Sequence, residues 1–128
     1  MRMVFMRGLK LAMHVTALSG ASLASAHVSE GQCFWVRGRL GTYNGNPTFR
    51  IWPAGTHRLL GVINPLGNDE DPKLPSNLRR LKPSFERDIW GRFYVCPLTK
   101  KEPGSMRFVR IERAENLSAK DIPLIPSR

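Results

Sequence analysis

Residues 33 to 43, "CFWVRGRLGTY", alternate in polarity. Phe34, Val36, Gly38 and Leu40 fall on one face, and Cys33, Trp35, Arg37 and Arg39 on the other. Period two with aromatic and branched residues predicts a half-buried strand over 33–43. "NGNP" then supplies Asn-Gly, the strongest short hairpin signal. "TFRIW" predicts a second strand over 47–52, with Phe49 and Ile51 inward and Arg50 and Trp52 outward. "PAGT" turns the chain again, and "HRLLGVI" predicts a third strand over 57–63.

The pattern breaks at residues 64 to 75, "NPLGNDEDPKLP", where three prolines and an acidic cluster predict a loop. A short helix is predicted over 76–82, with Ser76 as its cap and Pro83 as its stop. Leu74, Leu78 and Leu81 share one side of it, suited to plugging the end of a barrel. Alternation resumes in "DIWGRFYVCPL", a fourth strand over 88–96, and in "MRFVRIERA", a fifth over 106–113. Residues from about 118 to 128 are expected to form an extended tail. Three strands, a helix and two strands is the order of an OB-fold, so the predicted class is all-β: a small five-stranded OB-like barrel with one short helix.

The N-terminal residues follow another pattern. Arg2, Arg7 and Lys10 precede the apolar, small-residue run "LAMHVTALSGASLASA", which ends in Ala24-Ser25-Ala26. This is the layout of a secretory signal peptide over 1–26, with His27 as the expected first mature residue. Residues 27–128 then form one small domain, periplasmic or secreted, with no stable membrane insertion after cleavage. Two cysteines in an exported chain read first as one disulfide, Cys33 with Cys96.

That disulfide fixes a register. In an OB-fold the first and fourth strands pair antiparallel. If Cys33 lies opposite Cys96, then Val36 faces Phe93 and Leu40 faces Ile89, all inward. Trp35 faces Tyr94, Arg39 faces Trp90 and Arg37 faces Arg92, all outward. Gly38 also meets Gly91, as a sharply coiled barrel strand would use.

Charge adds a partner class. The chain has 20 Lys+Arg against 10 Asp+Glu, and removing the leader's three cations leaves 17 against 10, a net +7. Twelve of those 17 cations are arginine, whose planar fork suits carboxylate, phosphate and sulfate. Like charges directly across a sheet, as at Arg37 and Arg92, are destabilising unless both splay into water or share an anion. Arg37, Arg39 and Arg92, with Trp35, Trp90 and Tyr94, are therefore the expected ligand-binding face. The competing expectation is that arginine stems simply cover the rings.

Catalytic patterns are not found: there is no Ser-His-Asp order, glycine-rich phosphate loop or HExxH. Asp69, Glu70 and Asp71 lack the spacing of a calcium loop. A mature N-terminus at His27 could join His57 in a copper site, but other markers of such enzymes are few. No cofactor, metal site or enzymatic activity is expected.

The run "VRGRL…YNGNPTFRIWP.GT.RLLGV", with "NLR" and "WGRFYVCPLT" downstream, resembles a family of small exported proteins from Gram-negative bacteria. The likeness covers about residues 33 to 117 and implies no activity or site. It does imply a cysteine in the family's fifth strand near the position of Arg110, so that the family's disulfide could join strands four and five. The partner of Cys96 stays open on that ground.

Three expectations about function follow. The first is an exported binding or accessory protein of the cell envelope that contacts an anionic envelope polymer or acidic protein. The second is a structural or assembly accessory with no small ligand. The third is a single-strand nucleic-acid-binding OB module, which requires that the chain is not exported.

Overall fold

The structure, a computed structural model, describes residues 30–64 and 72–123. The expected signal peptide, His27 and the acidic cluster Asp69–Asp71 lie outside the described residues.

Five strands and one helix follow in order: β1 (Phe34–Thr42), β2 (Phe49–Pro53), β3 (Leu60–Val62), α1 (Ser76–Arg80), β4 (Arg87–Pro97) and β5 (Arg107–Asp121). They close into a barrel in the order β1-β2-β3-β5-β4. β3 and β5 run parallel, and the other neighbours antiparallel. This is the strand order of an OB-fold, as the sequence pattern predicts.

Alternation sets the inside of the barrel. Leu40, Ile51, Val62, Ile89, Phe93, Val95 and Val109 are buried in one cluster. Burying such a side chain stabilises the fold by about 1.5–3 kcal/mol relative to leaving it in water. Leu74 and Leu78 join the cluster and Leu81 packs against it, so the helix plugs one end. Ser76 does not cap that helix. Pro75 occupies the cap position without a side-chain hydrogen bond. The useful polar side chain is Asn77, whose Nδ2 donates to the Ala114 carbonyl at 2.6 Å.

The β1–β4 register matches the expected one throughout: Trp35 with Tyr94, Val36 with Phe93, Arg37 with Arg92, Gly38 with Gly91, Arg39 with Trp90 and Leu40 with Ile89. Cys33 and Cys96 form the disulfide, at a sequence separation of 63. Arg110 stands opposite Cys96 on β5. A cysteine there would be a competing neighbour, but in this chain the position is arginine.

The glycine pair has a steric basis. A Cβ on Gly38 would lie 2.2 Å from the Trp52 carbonyl oxygen. One on Gly91 would lie 2.7 Å from Leu117 Cδ2 and 3.0 Å from the Glu115 carbonyl oxygen. The bare backbone lets β2 and β5 crowd against these two strands at one level.

Two elements differ from expectation. The third strand is only Leu60–Val62, because Thr56 folds residues 56 to 58 into a local turn. Its Oγ1 donates to the Pro53 carbonyl at 3.0 Å and accepts from the Arg58 N–H at 3.4 Å. The fifth strand runs well past the expected end. The tail expected from about residue 118 is strand through Asp121, with Ser118 opposite Trp90 and Asp121 opposite Arg87. Two register shifts, between Trp90 and Arg92 and between Tyr94 and Val95, let β5 continue along β4. At the first, Asn116 takes φ 53°, a left-handed conformation that asparagine tolerates better than most residues.

Candidate functional site

The outer wall of β1, β4 and β5 carries the six side chains expected to bind, and the structure divides them into three settings. Trp35 and Tyr94 pack against each other in a tilted pair, with ring centroids 5.2 Å apart and planes at 41°. Arg92 lies 4.7 Å above the Trp35 ring, and Arg113 lies 5.3 Å and 5.1 Å from the Trp35 and Tyr94 rings. The two rings are thus engaged by cations of the same molecule, each such contact contributing about 0.5–1 kcal/mol near the surface.

Arg39 belongs elsewhere. It lies 4.8 Å over the Trp52 ring of β2, and its Nη1 donates to Asp88 Oδ2 at 3.5 Å. Its Nε is buried without a partner. Trp52 Nε1 in turn donates to the Thr56 carbonyl at 2.5 Å. Arg39 is a structural tie from β1 to β2 and β4. Arg50 has a comparable task at the first hairpin. Its Nε donates to the Pro47 carbonyl at 3.0 Å, and its guanidinium lies 4.8 Å over the Tyr43 ring.

The third setting is a groove of about 390 Å³ lined by Arg37, Gly38, Trp90, Gly91, Arg92, Asn116 and Ser118. The paired glycines form its floor. Trp90, 38% exposed, forms one wall, and Lys120 sits 5.7 Å from its ring. Arg92 is held at the other wall by Glu115, Nη1 to Oε1 at 2.5 Å. Glu115 supplies the anion that the like-charge pair calls for, which explains how the sheet tolerates Arg37 opposite Arg92. Arg37 is different from its neighbours. Among the described residues its guanidinium makes no hydrogen bond, ion pair or ring contact.

The β1–β4 register alone places five of the lining residues, Arg37, Gly38, Trp90, Gly91 and Arg92, three of which (Arg37, Trp90 and Arg92) are expected binding residues. The sequence pattern does not reveal the lining residues Asn116 and Ser118, nor Glu115 and Lys120, which contact Arg92 and Trp90 at the walls. All four belong to β5, whose bulges displace the alternation and leave no period-two signal to follow.

Among the described residues no group of three His, Cys, Asp or Glu side chains is placed to hold a metal ion. His57 is exposed on the turn before β3. No described helix is long and apolar enough to cross a membrane. Comparison with protein-family models, with curated proteins and with solved structures finds no match.

Proposed function

We propose that the protein is a small exported binding or accessory protein of the cell envelope, and that the groove over Gly38 and Gly91 contacts an anionic polymer. The observation that carries this reading is the uncommitted guanidinium of Arg37 beside Arg92 and the exposed Trp90 ring. A planar cation, a second cation already oriented by Glu115, and a flat apolar wall suit a charged, ring-containing chain. Asn116 and Ser118 add neutral hydrogen-bonding groups at the rim. The Cys33–Cys96 disulfide is compatible with an oxidising, exported location. The proposal places the mature protein in the periplasm or outside the cell, and includes membership of the exported family that the sequence resembles.

The test compares two variants that each lose two positive charges. Arg37→Ala with Arg92→Ala should elute from a dextran sulfate matrix at clearly lower salt than the native protein. Arg79→Ala with Arg80→Ala, on the exposed side of α1, should elute close to it. Equal shifts would reduce the groove to general basicity.

A further inference from the structure

The two ends of the barrel are built differently. Strand directions place the starts of β1, β3 and β5 and the ends of β2 and β4 at one end. The helix closes the opposite end. Among the described residues nothing closes the first end. It holds a cavity of about 250 Å³ walled by Phe34, Val36, Pro53, Leu59 and Leu60, with Arg58, Lys101 and Arg107 around its mouth. Glu102 is the one acidic side chain in the lining. A second depression shares Arg58, Leu59, Glu102 and Ser105 with it and extends it toward His57.

The mouth is preformed on two sides. Arg107 is fixed by two carbonyls, its Nε donating to Thr99 and its Nη2 to Glu30, both at 3.1 Å. The turn that carries Arg58 is fixed by Thr56. The Arg58 and Lys101 side-chain cations make no hydrogen bond, ion pair or ring contact among the described residues. An apolar interior below two free cations and one held cation is complementary to a molecule with an apolar body and an anionic head. The volume lies just under the roughly 300 Å³ at which drug-sized ligands begin, so it fits a short chain rather than a whole lipid.

We infer that the open end of the barrel is a binding site for a small amphiphilic carboxylate, such as a medium-chain organic acid, separate from the arginine groove. The apolar chain enters between Phe34, Val36 and Leu60, and the carboxylate meets Arg58, Lys101 and Arg107. The charge-assisted hydrogen bonds of the head select anion over cation, and the apolar wall selects chain over acetate.

Sodium decanoate, decanol and decyltrimethylammonium, each below its micelle concentration, are titrated into the folded protein and followed by amide NMR. Decanoate should shift resonances at residues 34–36, 58–60 and 101–107, and bind more tightly than decanol. The cationic amphiphile should bind most weakly. Arg58→Ala with Lys101→Ala should weaken decanoate binding by about tenfold, while Arg79→Ala with Arg80→Ala should not change it. Ser105→Trp, which places a large side chain at the cavity mouth from an exposed loop, should block binding and leave the barrel spectrum intact. Shifts that map elsewhere, equal binding of the anionic and cationic amphiphiles, or response to anionic phospholipid vesicles but not to free decanoate would overturn the inference. Retention of the Arg37→Ala, Arg92→Ala protein on dextran sulfate reports on the groove alone, so the two proposals fail separately.

Discussion

Arg37 and Arg39 are separated by one residue and have opposite tasks. Arg39 is tied to Asp88 and Trp52, with its side chain 29% exposed, so Arg39→Ala should cost about 1 kcal/mol after allowance for solvent screening. Arg37→Ala removes no hydrogen bond, ion pair or ring contact among the described residues and relieves repulsion with Arg92, so stability should hold or rise slightly. Urea unfolding of the two variants checks this. Equal losses would mean that Arg37 has a structural partner after all. The distinction between the two arginines is not legible in the sequence, where both are outward residues of one alternating strand. It depends on Trp52 and Asp88, which come from other strands and reach Arg39 through barrel closure.

At the level of elements, the paired glycines and the β5 bulges act together. Gly38→Ala drives a methyl against backbone of β2, which can yield only by shifting the strand, and should cost about 2–3 kcal/mol. Gly91→Ala meets the end of the flexible Leu117 side chain at 2.7 Å and backbone carbonyls only at 3.0 and 3.2 Å, which need give by a few tenths of an ångström, so its cost should be smaller, about 1–2 kcal/mol. Denaturant midpoints that ranked the two in the other order would contradict this account of the crowding. The glycine pairing was readable in advance because one disulfide fixes the whole β1–β4 ladder. The length of β5 was not. Asn116 and Glu112 sit where the register along β4 slips, so inward and outward positions cease to alternate and the pattern looks like loop. The groove's β5 wall was hidden for the same reason. The shortened β3 reflects local hydrogen bonding by Thr56 that outweighs the strand pattern of residues 57 to 59.

For the whole molecule, the disulfide and the short core belong together. A separation of 63 residues corresponds to about 4 kcal/mol in the chain-entropy account, a large share of the stability of a domain this small. Intact mass of protein recovered from the periplasm should match a chain starting at His27, two hydrogens lighter than its dithiol form. Reduction should sharply lower the melting temperature. A mass starting at Met1 with two free thiols would contradict the exported reading and favour the nucleic-acid alternative. The strand order, the plugging helix and the β1–β4 wall were legible from alternation, turn residues and cysteine pairing. The open end of the barrel was not, because its lining comes from the β2–β3 and β4–β5 loops and from four strands whose ends sequence patterns define poorly.

On the proposed reading an anionic polymer binds over the paired glycines and not through basicity spread across the surface. Its most direct test is NMR of the native protein during titration with oligogalacturonate, following the Arg37 Nε–H, the three tryptophan indoles and the Asn116 amide. The account predicts that Arg37, Trp90 and Asn116 shift together and saturate, that Arg79 and Arg80 stay in place, and that added salt reverses the shifts. Shifts of similar size at Arg37, Arg79 and Arg80, or none at Trp90, would contradict it.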